Sequence, residues 1–370
     1  MRRKLPLLRG LAILAVLVAH ASLWAVVDLL PDAGAALDLH GWTLVQYRVL
    51  TSVEQLSIFA VPSFFFITGV FATYATRGSS FAENWPFIKK RLWALLLPLA
   101  IWSVVALSVD AFFGIKDWPL YWVRALRRGG VEWGYYFVPA LVQFYLLTPW
   151  FVRAAVAHPR RVLAAIIVVQ LLVIVLHLAG GPAPDSFIAA IPGAGKWPGG
   201  NYPAWRWILY FGLGILAGRH SAAVEEWLKS HRRLLGVGAL VFSGVAVLEG
   251  TLLADAYRNV EWFLGQQRLG VTFAALSVIA YFLSLDINAT VRTRWIEKVG
   301  VRSFGIFLMH PIVMKGAHHV LGRVLPSLCQ RQVMVMSAVF LVLGFALPWL
   351  AIEAVSRSRW KRMTLHLFGH

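Results

Sequence analysis

Apolar runs of roughly 17–25 residues, broken by short polar loops, recur from one end of the chain to the other. Ten stand out, at about 6–28, 50–74, 93–114, 133–152, 162–179, 205–218, 234–253, 264–285, 301–321 and 333–353. Most approach the roughly 20 residues that an α-helix needs to cross a bilayer, and the sixth is the shortest. The runs are solid and do not alternate, which favours helices over the strands of a membrane barrel. The pattern predicts an all-α polytopic membrane protein. Its bundle of about ten transmembrane helices forms a single membrane-embedded domain over 1–370, with a core at about 5–353.

Charge adds an orientation. One set of loops holds Arg2, Arg3 and Lys4, then Arg77, Lys89, Lys90 and Arg91, then Arg153, Arg160 and Arg161. The set continues with Arg219, Lys229, Arg232 and Arg233, with Arg292, Arg294 and Lys298, and with Arg357, Arg359, Lys361 and Arg362. The opposite side carries about half as many cations, so the positive-inside rule places both termini in the cytoplasm. The loop with Lys116, Arg124, Arg127 and Arg128 runs against this, and its YWVRALRRGG reads as an interfacial amphipathic stretch. The Gly- and Pro-rich stretch at about 180–204 is the longest outer loop, a plausible lid or wall over an outward-facing cleft.

Composition agrees. Hydrophobic residues make up 59% of the 370 and charged residues 14%, with a mean hydropathy of +0.68. Soluble domains carry roughly 25% charge. The net charge of +18 would suit nucleic acid, but its cations sit in short loops between apolar runs, so no nucleic-acid partner is expected. Part of the excess could serve an anionic ligand or lipid headgroups. A single cysteine, Cys329, excludes an internal disulfide and a Cys-based metal cluster. The first run is too long for a signal-peptide core.

Within these runs the ionisable residues carry the candidate chemistry. Arg9 and His20 lie in the first, eleven residues apart. That spacing is close to three helical turns, so the two share one face about 16 Å apart along the axis. Either they are a snorkelling arginine and a structural histidine, or they are two ends of one site. Glu54 falls near the outer end of the second run, as a snorkelling carboxylate or as a group that orients a histidine or binds an acceptor hydroxyl. Lys89, Lys90 and Arg91 stand at the mouth of the third run, as a topology anchor or a phosphate clamp. Gln143 and Tyr145 suggest interhelical hydrogen bonds or a polar cavity in the fourth. His310 is a second intramembrane histidine, on the same face as Ser303 and followed by Pro311, which frees a backbone carbonyl. His20 and His310 lack the spacing and carboxylate company of a metal site, so no metal is expected.

Taken in order, these segments resemble the acyltransferase-3 family of integral membrane O-acyltransferases. LRGLAILAVLVAH resembles its first-helix signature, and FFFITG (64–69) its FFxxSG element, with Thr68 for serine. FIKKRLWALLLPL resembles its basic start to the third helix, with Ala94 where a second arginine is frequent. YYFVPALVQFYLLTPWF and YFGLGILAGRH resemble its fourth-helix and mid-chain segments, and SFGIFLMHP its late S-x-x-IYLxHxP element, with Phe307 for tyrosine. Many relatives add a carboxy-terminal SGNH domain; this sequence shows none, so transfer is expected to finish within the membrane or with a separate partner.

The resemblance implies an acyl-CoA donor, acetyl-CoA above all, approaching from the cytoplasm, and an O-acyl product on a sugar, glycan or lipid-linked acceptor in the plasma membrane. On that reading His20 is a general base or an acyl carrier. Arg9 holds donor phosphate or the pantetheine arm, and Lys89, Lys90 and Arg91 attract the nucleotide end. His310 holds His20 or the acceptor. The rival class is a glycan or lipid transporter or flippase using the same intramembrane groups, though no internal repeat of its halves is visible.

Overall fold

The computed structural model of the protein describes residues 2–29, 39–76, 80–114, 131–179, 203–257, 265–288 and 290–369. Every regular element among them is helical. Helix α1 (Leu5–Val26) carries a proline in its first turn, where a missing N–H costs little. α2 (Gly41–Leu56) and α3 (Ala60–Ala75) form one apolar stretch of 35 residues, interrupted at 57–59. The 32-residue α4 (Phe81–Phe112) opens on a capping box. There Ser80 Oγ accepts from the Glu83 N–H at 3.2 Å, and the Glu83 carboxylate accepts from the Ser80 N–H at 3.0 Å.

A 3-10 turn (Trp133–Tyr136) leads into α5 (Phe137–Ala157), which is followed by α6 (Pro159–Ala179). A second such turn (Ala204–Trp207) leads into α7 (Ile208–Arg219), and then come α8 (Ser221–Ser230), α9 (Arg232–Tyr257) and α10 (Leu269–Ser284). The chain continues through α11 (Val291–Val301), α12 (Ser303–Val324), α13 (Pro326–Arg331), α14 (Val333–Arg357) and α15 (Thr364–Phe368).

Each of the ten apolar runs contains a helix. Among the described residues, 7 helical stretches are long and apolar enough to cross a membrane: α1, α2 with α3, α4, Gly134–Ala157, α6, α9 and α14. The other three runs differ for a physical reason. α7 and α10 are short, at 12 and 16 residues. α12 has 22 residues but includes Ser303, His310 and Lys315, all buried against protein. The helix of the second run also begins earlier than hydropathy indicates, at Gly41, because the first turns of α2 are polar and bury Gln46. Glu54 therefore lies in the middle of the α2–α3 stretch and not near an end. Lipid-facing positions fit a bilayer: α6 exposes Leu171, Leu172 and Val175, and α9 exposes Leu240, Leu248 and Leu252. The protein is a multi-pass membrane protein. Most of the basic loop at 115–132 and of the stretch at 180–204 lies outside the described residues.

α1 is the hub, packed against α2, α3, α11, α12 and α14. Close approach of α1 and α11 rests on two glycines. A Cβ on Gly10 would overlap the Ile296 carbonyl oxygen, and one on Gly300 would overlap that of Pro6. The FFFITG element does the same for α3 and α7, where Gly69 meets the Phe211 carbonyl and Gly214 meets that of Phe66. Lys315 ties α12 to Asp110 of α4 at 2.6 Å and to Glu132 at 2.5 Å, a buried ion triad beside the start of α5.

Candidate active site

A cavity of about 710 Å³ lies along α1 and is walled by α2, α3, α4, α5 and α12. Arg9 and His20 both line it, as their spacing on one helix face requires. Arg91 lines it with Arg9, and Tyr145 stands beside both arginines. Arg9 Nε donates to Ser303 Oγ at 2.7 Å, which fixes the guanidinium through one nitrogen. Glu54, Tyr136 and Gln266 also line the cavity, and the Tyr136 hydroxyl reaches the Gln266 amide oxygen at 3.5 Å. Phe64, Phe137 and Phe307 give it an aromatic wall, with the Phe137 ring centroid 5.6 Å from that of Phe64 and 5.5 Å from that of Phe307.

Two histidines meet at this cavity. His310 is fully buried on α12, and its Nδ1 lies 3.0 Å from the Ile306 carbonyl oxygen. A carbonyl only accepts, so His310 Nδ1 carries the proton. His310 Nε2 of the neutral ring is then an acceptor, and His20 Nδ1 donates to it at 2.9 Å. With Nδ1 protonated, neutral His20 keeps its lone pair on Nε2. Gly134 leaves space beside this ring: a Cβ there would come within 3.4 Å of His20 Cε1 and 3.3 Å of the Phe307 ring. The chain thus delivers a base of fixed tautomer to the cavity.

The other sequence-designated residues separate. Lys89 and Lys90 are exposed on α4 and do not line the cavity, whereas Arg91 does, with its guanidinium 5.6 Å from the Phe87 ring centroid. Glu54 lines the cavity with a glutamine as its hydrogen-bond partner. Gln55 Nε2 donates to its carboxylate at 2.6 Å, and Gln55 Oε1 accepts from the fully buried Arg268. The partner that orients His20 is His310. Gln143 accepts from the Ala204 N–H at 3.1 Å, which ties α5 to the 3-10 turn before α7.

Sequence reading did not single out Tyr136 and Gln266 as site residues. Gln266 had a signal, since Gln266, Gln267 and Arg268 place three polar residues together at the start of an apolar run.

These features define a multi-pass membrane protein whose helices enclose a mostly apolar cavity that holds an oriented imidazole and two guanidinium groups. The model of the acyltransferase-3 family, described as an acyltransferase domain, matches residues 3–353, and the chain belongs to that family. It is a membrane acyltransferase. No curated protein and no solved structure matches the chain.

Proposed function

We propose that the protein moves an acyl group, acetyl above all, from cytoplasmic acyl-CoA to a hydroxyl of a sugar, glycan or lipid-linked acceptor in the plasma membrane. The observation that carries this reading is His20, bonded through Nδ1 to His310, on the wall of a cavity that also holds Arg9 and Arg91. His20 removes the acceptor's hydroxyl proton as the alkoxide oxygen attacks the thioester carbonyl. The tetrahedral intermediate collapses, the C–S bond breaks, and the thiolate leaves with the proton held by His20. His310 is a positioning residue, because it accepts from Nδ1 and keeps Nε2 the basic nitrogen.

Arg9 and Arg91 supply the donor end. A guanidinium matches phosphate oxygens in a bidentate fork, and Arg91 belongs to the basic cluster at the start of α4. Exposed Lys89 and Lys90 raise the local concentration of an anionic donor without touching the cavity. Glu54, Tyr136 and Gln266 offer a carboxylate, a hydroxyl and an amide, a set suited to a polyhydroxyl acceptor.

The test is release of CoA thiol from acetyl-CoA by purified protein in detergent, with a membrane extract of the source organism as acceptor. Acceptor-dependent thiol release with matching O-acetyl product supports the reading. Thiol-free transport of a glycan or lipid across vesicles, with no acetyl transfer, would replace it with the transporter class.

A further inference from the structure

The segment after α14 turns back and brings Gly369 to the cavity wall. α15 packs against α4, α12 and α14. Phe368 is 1% exposed and stacks on Trp102 of α4 with centroids 6.4 Å apart. The Trp102 indole N–H donates to the Leu367 carbonyl at 2.8 Å. Gly305 of α12 makes the room, since a Cβ there would lie 2.9 Å from Phe368 Cβ.

Gly369 follows with φ 72° and lines the cavity together with Arg91, Ala94 and Ser303. Two independent constraints demand glycine at this position. Its backbone is left-handed, and a Cβ would come within 2.7 Å of both the Ala94 carbonyl oxygen and the Phe304 ring. The family match ends at residue 353, so α15 lies beyond the matched stretch.

We infer that docking of the segment 364–368 holds Gly369 in the wall of the donor-binding mouth, and that donor affinity is set partly by this docking. The inference rests on the reading of Arg9 and Arg91 as the donor end. With the segment undocked, the mouth opens between α4 and α12, and an acyl-CoA loses one side of its contact surface. The acceptor residues Glu54, Tyr136 and Gln266 belong to other elements, so acceptor affinity is unaffected.

The test uses the full chain with Cys329→Ser and Ala94→Cys as background. Phe368→Ser removes the buried ring, and Gly369→Ala introduces the excluded Cβ. Trp102→Phe removes the indole hydrogen bond and part of the ring stack, a milder change that serves if the stronger variants fail to fold. Two readouts are taken on detergent-purified protein that is monodisperse on gel filtration. The first is the rate at which a bulky maleimide labels the thiol introduced at position 94, which requires no activity. It rises about tenfold or more in Phe368→Ser, as expected for loss of local protection. The second is the apparent KM for acetyl-CoA against that for acceptor, measured without Ala94→Cys. The donor KM rises several-fold and the acceptor KM stays.

An unchanged labelling rate in all three variants overturns the wall. Faster labelling with an unchanged donor KM overturns the donor role of the segment. Absence of thiol release by the unsubstituted protein defeats the proposed function instead, and the labelling rates still judge the wall.

Discussion

His310 Nε2 and His20 Nδ1 lie 2.9 Å apart across 290 residues of sequence, and the direction of that hydrogen bond decides which nitrogen of His20 is basic. The direction follows from Ile306, whose carbonyl occupies the other side of the His310 ring. A backbone carbonyl on one helix thus sets the protonation pattern of a side chain on another.

This relay predicts a graded response at His310. Glutamine offers an amide oxygen that can accept from His20 Nδ1, whereas alanine offers nothing. His310→Ala is expected to lower kcat by about 10- to 100-fold, with the donor KM little changed. His310→Gln is expected to recover a substantial part of that loss. Equal loss in both variants would mean that the acceptor atom is not what matters.

Arg9→Ala and Arg91→Ala are expected to raise the apparent KM for acetyl-CoA more than that for acceptor. Salt should weaken donor capture further, because Lys89, Lys90 and part of the Arg91 side chain are exposed. Steady-state kinetics in both substrates, at low and high ionic strength, decides this. A change confined to acceptor KM would remove the arginines from the donor site.

The α1–α11 crossing gives a stability prediction independent of chemistry. A Cβ on Gly10 would overlap the Ile296 carbonyl oxygen, so neighbouring helices must separate to admit it. Gly10→Ala is expected to destabilise the bundle by about 1–3 kcal/mol. Thermal unfolding in detergent reads this out; unchanged stability would show that the crossing gives way freely.

What could be read in the sequence, and what could not, follows from the kind of information periodicity holds. Helical spacing put Arg9 and His20 on one face, and Ser303 and His310 on another. The fold joins those faces, Arg9 to Ser303 and His20 to His310. Spacing names a face but not the neighbour that covers it. Hence Glu54 carried two readings, and its carboxylate both accepts from Gln55 and lines the cavity. Hydropathy sees lipid-facing residues best. It missed the first turns of α2, whose buried polar side chains point into protein, and it could not separate exposed Lys89 and Lys90 from cavity-lining Arg91. The fold-back of α15 depends on two glycines and one tryptophan far apart in sequence, a contact that no local pattern encodes.

Orientation in the membrane is tested by cysteine accessibility. In a Cys329→Ser background, single cysteines replace Ser79, Ala125, Ser186 and Ser356. The charge bias predicts that an impermeant thiol reagent on intact cells labels positions 125 and 186 and spares 79 and 356. Labelling at 79 with protection at 125 would invert the protein and deny the arginines a cytoplasmic donor.

In the proposed transfer His20 is the base. The measurement that addresses this role most directly is transfer of labelled acetyl from acetyl-CoA to acceptor by purified His20→Gln protein beside the unsubstituted protein. Gel filtration and thermal unfolding must first show the two to be equally folded. Glutamine's amide can still bond His310 but has no basic nitrogen. Transfer is expected to fall about 100-fold or more with donor binding retained. Near-normal turnover in the folded variant would contradict that role.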